Sequence, residues 1–319
     1  MSKTNEFTDP TFIDSEFSFQ LEAIKECKVC KGNQFKFMGM RGGKFQRWGL
    51  GIESKIYQCR NCSVLFPNPF PVPSNLESIY GHPDEYFSQK GDWDKRVIDL
   101  TPIVKEFLQR LDHPTSLDIL DVGSGRGEFV GACNNFPQIN VTGLEVSEAS
   151  IRFAKEKSID LTNKTLQQLI EEGRSFDGIC LSAVIEHVHE PGLFVKEVSQ
   201  LLKKDGILYI DCPREPNLLT IVGNLINKLL FRKGIYNLQP TWKPFHVFGF
   251  NPKSLKMVLM NNNIEILSIK TSAAVKVRSS KNLTDKIMSY IAMFIKIIAN
   301  YIGLASNLYV WAKKSDTNL

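Results

Sequence analysis

Apolar residues keep two rhythms along this chain. From Leu117 to Cys212, short apolar runs near 117–122, 139–145, 176–182 and 206–212 alternate with stretches whose apolar residues recur at helical spacing. Strand-length runs separated by helical patterns mark βαβ units, and this succession predicts a doubly wound α/β sheet. Ahead of it, Lys31 to Gln58 alternates apolar and polar residues and is rich in glycine (Gly39, Gly42, Gly43, Gly49, Gly51). That pattern predicts a β-hairpin with a long loop. "SVLFPNPFPVPSNLESIYGHPDEYF" then breaks both rhythms. Its prolines predict an irregular connector, followed by a short helix carrying Tyr80 and Tyr86, which either pack on the next domain or wall a substrate site.

Two cysteine pairs, Cys27-Lys-Val-Cys30 and Cys59-Arg-Asn-Cys62, bracket the hairpin. Two thiolates three residues apart can face one ion, and two such pairs complete a tetrahedron around zinc. The expectation is a zinc ribbon over residues 21–70 with a closed structural site and no catalysis at the metal. The competing reading is four free or redox-active thiols. The other three cysteines, Cys133, Cys180 and Cys212, stand among apolar residues, where cysteine is usually a small buried hydrophobe. A metal site with scattered thiols, rather than a disulfide framework, predicts a reducing, cytoplasmic setting.

The chain of 319 residues has room for a large domain and a small one. The expected division is a flexible stretch over 1–20, the ribbon over 21–70, a connector over 71–100 and the α/β domain over 101–319. The N-terminal stretch is polar and lacks the apolar core of a signal peptide. A net charge of +5 without an arginine-rich run argues against a nucleic-acid partner.

The chemistry concentrates in "LDILDVGSGRGEFVG", residues Leu117 to Gly131. The dinucleotide fingerprint is G-x-G-x-x-G. Here Gly123, Gly125 and Gly127 are spaced G-x-G-x-G, and the preceding strand ends in Asp121. A carboxylate at that tip would repel a pyrophosphate and suits a cationic ammonium group instead. The stretch resembles the first motif of the class I S-adenosylmethionine-dependent methyltransferases. "INVTGLEVSEASIRFAKEK", "FDGICLSAVIEHVHEP", "LLKKDGILYIDCP" and "HVFGFNPKSLKMVLMNNNIEILSIK" resemble that family's later motifs in order. The resemblance implies a seven-stranded Rossmann-like sheet, with Asn307 to Lys313 as its last strand. It implies S-adenosylmethionine held by Asp121, Gly123, Ser124, Gly125, Gly127, Glu145, Val146 and Ser182, with Leu166 and Gln167 at the adenine end. Glu145 would hold the ribose hydroxyls. The third strand region lacks the acidic residue often found beside the adenine, and Asp205 replaces the usual proline or glycine of a turn.

Methyl transfer often needs a base, and His187, following Glu186 after the fourth strand, is the leading candidate. The alternative is that Glu186-His187-Val188 is a structural turn. His246, in "KPFHVFGF", is a further candidate in a loop expected to cover the acceptor. The two-knuckle front, proline-rich connector and E-H turn together resemble zinc-ribbon methyltransferases of glycan and deoxysugar biosynthesis. That implies a small-molecule acceptor such as a nucleotide sugar or lipid-linked glycan. Val184 stands where the sugar C-methyltransferases of that group often carry tyrosine, which weakens C-methylation, while O-methylation of a sugar hydroxyl stays compatible because the same base would serve. The rivals are a quinone or lipid O-methyltransferase, an RNA methyltransferase and a non-catalytic binding module. Two apolar inserts, near 217–234 and 283–303, exceed the minimal fold. They read as a lid, a dimer contact or, with Lys228, Arg232 and Lys233, a peripheral membrane contact.

Overall fold

The computed structural model describes residues 19–45, 52–74, 92–112, 115–239, 245–275 and 282–315. Tyr80, Tyr86 and nearly all of the stretch 1–20 lie outside the described residues.

Strands β1 (Phe19–Glu22), β2 (Phe35–Arg41), β3 (Ser54–Cys59), β4 (Leu65–Pro67) and β5 (Phe70–Pro73) precede helix α1 (Trp93–Arg110). Then β6 (Leu117–Val122), α2 (Glu128–Cys133), β7 (Ile139–Leu144), α3 (Glu148–Glu156) and β8 (Leu161–Thr162) alternate. The alternation continues through α4 (Leu166–Glu171), β9 (Phe176–Ser182), α5 (Pro191–Leu201) and β10 (Leu202–Pro213). Finally come α6 (Leu218–Leu229), α7 (Pro252–Met260), β11 (Ile264–Ser272), α8 (Leu283–Tyr301) and β12 (Asn307–Lys314).

One seven-stranded sheet runs in the order β11-β12-β10-β9-β6-β7-β8. β6 pairs in parallel with β7 on one side and β9 on the other. The strand order therefore reverses at β6, the position where open α/β sheets receive ligands at their carboxyl ends. β10 begins earlier than expected, because Leu202 already pairs with Phe176 before a register shift ahead of Ile207. Asp205 lies in that shift with φ +59°, a conformation that aspartate tolerates better than most residues.

The chain forms two compact units. The sheet unit comprises Pro73–Asp211, Val258–Ser268 and Val310–Leu319. Its parallel strands are buried on both faces, with Ile119, Leu120, Ile179, Leu181, Leu208 and Ile210 inaccessible. Cys133 and Cys180 are buried free thiols, pushed up by burial, as expected of small core residues. Helix α1 buries Leu100, Val104, Phe107 and Leu108, one face at i, i+4, i+7, i+8. Gly178 admits the Phe107 ring, since a Cβ there would lie 2.8 Å from it. Burying such a ring contributes about 1.5–3 kcal/mol.

The ribbon unit comprises the residues up to Val72 with Cys212–Met257 and Ile269–Tyr309. β2 and β3 form the expected hairpin, and β4 adds an antiparallel third strand. The hairpin does not close its core alone. Ile56 and Leu65 cluster with Ile235 and Leu238, while Leu65 and Gly249 exchange both backbone hydrogen bonds. Arg41, wholly buried, donates from Nη1 to the carbonyls of Leu238 (2.9 Å) and His246 (2.8 Å).

Candidate functional site

The three glycines after β6 all take left-handed backbone, with φ of +69° at Gly123, +56° at Gly125 and +78° at Gly127. Only glycine enters that region without penalty, which explains the spacing. Two of them also have no room for a side chain. A Cβ on Gly123 would meet Val184 at 2.8 Å, and one on Gly127 would meet Ile159 at 2.7 Å. The loop is thereby drawn down onto the sheet, and Gly127 caps α2.

Beneath the loop, Asp121 is 2% exposed. Burial pushes its carboxyl up to about 7, against the opposing pull of Ser124 and the Cys180 thiol. Its Oδ2 is buried without a hydrogen-bond partner among the described residues. An orphaned carboxyl oxygen in such a place is costly unless a ligand donor meets it. Ser124 donates its hydroxyl to the Asp121 carbonyl (3.1 Å). The adjacent strand ends in Glu145, which accepts from Gly125 N–H (2.7 Å) at Oε2 and from Ser147 N–H (2.8 Å) at Oε1. The glycine loop and the β7 acid are thus fixed to each other, and Val146 beside them is half exposed.

On the other side of β6, the tip of β9 carries Ser182, whose hydroxyl donates to Asp211 Oδ2 at 2.7 Å. Register explains the pair, since Asp211 of β10 lies opposite Ser182 of β9. The chain then turns sharply. Ala183 has φ +54° and gives its N–H to the Asp211 carbonyl, leading into a short 3-10 turn over Ile185–His187. Glu186 is buried, and its Oε1 is 3.9 Å from His187 Nε2. Asp211 was missed in the sequence. A lone acid closing an apolar run looks like any strand end until the parallel register places it beside Ser182.

Leu166 and Gln167 open α4. Leu166 is buried, and Gln167 reaches along its own helix to Glu171 (3.1 Å). Asn163 instead directly follows β8, whose Thr162 carbonyl accepts from Glu145 N–H.

In the ribbon unit the four cysteines converge. Cys27 and Cys62 sulfurs are 3.7 Å apart, Cys30 and Cys59 sulfurs 3.5 Å, and all four lie within 4.8 Å of one another. Four sulfurs about 2.3 Å from a tetrahedral zinc would be separated by about 3.8 Å, so the cluster is compatible with that ion. Each knuckle is built alike. Lys31 N–H bonds the Cys27 carbonyl and Ser63 N–H the Cys59 carbonyl, and both Lys31 (φ +59°) and Ser63 (φ +65°) are left-handed. His246 also belongs to the ribbon unit, largely buried, with its carbonyl held by Arg41.

Residues 120–210 match the family described as "Methyltransferase domain". This stretch is a methyltransferase domain. It opens one residue before Asp121 and closes one before Asp211, so it spans the glycine loop, Glu145 and the Ile185–His187 turn. Over 202 residues the chain is 25% identical to "Ubiquinone biosynthesis O-methyltransferase" of Pelagibacter ubique, a match covering 61% of this chain and 82% of that protein. The mitochondrial protein of that name from Dictyostelium discoideum is 25% identical over 174 residues, 48% of this chain and 51% of its own. The one from Caulobacter vibrioides is 34% identical over 101 residues, 30% of this chain and 40% of its own. The chain therefore spans only about half the length of most such relatives.

Proposed function

We propose that this chain transfers a methyl group from S-adenosylmethionine to a hydroxyl of a small-molecule acceptor. The observation that carries the reading is the orphaned, buried Oδ2 of Asp121 beneath a loop of left-handed glycines. An ammonium group suits that oxygen, and ribose hydroxyls suit Glu145, whose Oε2 is held by the glycine loop. In this reading Asp121, Gly123, Ser124, Gly125, Gly127 and Glu145 hold the donor. Val146 and Asn163 flank its adenine, and Ser182 with Asp211 bounds the opposite side.

S-adenosylmethionine, when bound, supplies a methyl group on a cationic sulfur open to attack by the acceptor oxygen. His187 accepts the acceptor's proton as attack begins, and the neighbouring Glu186 carboxyl stabilises the imidazolium that results. The left-handed Ala183 and the Asp211 hydrogen bonds fix the turn that presents this pair. The four cysteines hold a structural zinc, with no open position and no part in the transfer.

The acceptor class is the finer part of the proposal. The relatives' names favour a hydroxyl of a quinone precursor over the sugar suggested by the two-knuckle architecture, and nothing in these relatives supports the sugar. Mass-spectrometric assay of methyl transfer to a catechol panel and a nucleotide-sugar panel separates the two. Methylated catechol that disappears in His187→Ala supports the reading. Absence of S-adenosylhomocysteine binding in calorimetry, with the fold intact, overturns it.

A further inference from the structure

Helices α6 and α8 are inside out. α6 is capped at both levels by Asn217 and Thr220, each side chain bonding the other's backbone, and its buried positions are the polar Thr220 and Asn227. Asn227 gives its amide to the Gly234 carbonyl, and Asn224 is bonded to Asn237 and to Tyr236 N–H. The apolar residues Ile221, Leu225, Ile226 and Leu229 are exposed. α8 repeats the inversion. Of its nineteen residues only Ala299 is buried. The stripe Ile287, Ile291, Phe294, Ile298, at spacing that ordinarily faces a core, is open to solvent. Asn300 clamps α8 by exchanging two hydrogen bonds with the Ala273 backbone, and the two helices lie against each other.

Both helices thus anchor through asparagines, Asn224, Asn227 and Asn300, and turn their apolar side chains outward. An exposed apolar surface on this scale marks an interaction site. Charge selects the occupant. Residues 218–233 carry Lys228, Arg232 and Lys233 with no acidic residue, and 283–302 carry Lys286 and Lys296 against Asp285 alone. Phe231, 96% exposed, stands among the first three, and Tyr301 is 92% exposed at the end of α8. Apolar side chains with aromatic and basic neighbours match the boundary of an anionic bilayer, apolar groups below and phosphates above. Two copies of this face brought together would oppose like charges. Neither helix is long and apolar enough to cross a membrane.

We propose that α6 and α8 form one surface that lies on anionic lipid membranes. The test is co-sedimentation of the full chain with vesicles of phosphatidylcholine alone and with one-third phosphatidylglycerol. Wild-type protein partitions to the anionic vesicles and is released by high salt. Replacing Lys228, Arg232 and Lys233 together by Gln weakens partitioning about a hundredfold, because each basic residue near such a surface contributes about fivefold. Phe231→Ser with Phe294→Ser weakens it without changing the salt dependence. All these side chains are exposed, so circular dichroism and S-adenosylhomocysteine binding stay as in wild type. Failure of wild type to bind anionic vesicles overturns the proposal, as does equal binding by all variants. A wild-type dimer in light scattering that Phe294→Ser dissociates, without vesicle binding, assigns the face to a second copy instead.

Discussion

Asp121 and Glu215 are two carboxyls buried in different units and raised to the same place, about 7, by the same cause, loss of water. Their surroundings differ. Glu215, in the ribbon unit, has both oxygens occupied, Oε2 by the Asn237 amide and Oε1 by Leu238 N–H. The charge of Arg41 opposes its neutralisation, and Glu215 in turn works against the fall of Arg41 to about 10. Asp121, in the sheet unit, keeps one oxygen empty-handed. A saturated buried acid holds a fold together, whereas an unsaturated one is held ready for something from outside. Raised acidity constants alone do not distinguish these roles; whether each oxygen is met does.

The largest effect that sharpens this contrast is on stability. Arg41→Ala removes two backbone hydrogen bonds and leaves Glu215 with only the charge of Arg214, so denaturant unfolding should show a loss of about 3–5 kcal/mol. Next in size is ligand affinity. Asp121→Ala should weaken S-adenosylhomocysteine binding tenfold to a hundredfold, the worth of a charged hydrogen bond. Its unfolding free energy should stay within about 1 kcal/mol of wild type at pH 4, where the native carboxyl is neutral. Equal losses of stability in both variants would erase the distinction.

The pH dependence is smaller and has a definite sign. A folded value near 7 against about 3.9 unfolded means that the native state binds the extra proton. Asp121 therefore costs stability progressively as pH rises from about 4 through 7. Asp121→Asn should melt higher than wild type at pH 8 and lose that advantage toward pH 5. Glu215, raised to about 7 as well, carries the same sign, so Glu215→Gln, which gives up one of two acceptors, should show its deficit against wild type shrink from pH 5 to pH 8. The smallest effect is in calorimetry near pH 6. Binding of the cationic donor should release a fraction of a proton, seen as a dependence of heat on buffer, and Asp121→Asn should abolish it.

The sheet and the glycine loop were legible because each depends on neighbours in sequence. Apolar runs fix strands, and G-x-G-x-G marks a backbone that must turn left three times. The helix at Leu283–Tyr301 was equally plain, since it falls on the apolar insert read near 283–303. What covers its apolar face was not, since periodicity identifies a stripe without saying which medium meets it. Arg41 and Glu215 were invisible for another reason. Their partnership joins distant segments, and no local rule makes an arginine at the end of a hairpin strand a buried one. Asp211 falls between, needing only the register of two strands.

The ribbon unit has a consequence for synthesis. Its cysteine knuckles are complete at Cys62, but the residues that cover Ile56 and Leu65, and the carbonyls that satisfy Arg41, lie beyond Gly234. About 140 residues of the other unit must emerge first, an interval of about 7–30 s at ordinary translation rates. During that wait the hairpin presents a half-finished core to the solvent around it. A chaperone or an early metal ion has its chance then, and a polypeptide cut after the ribbon would never leave that condition.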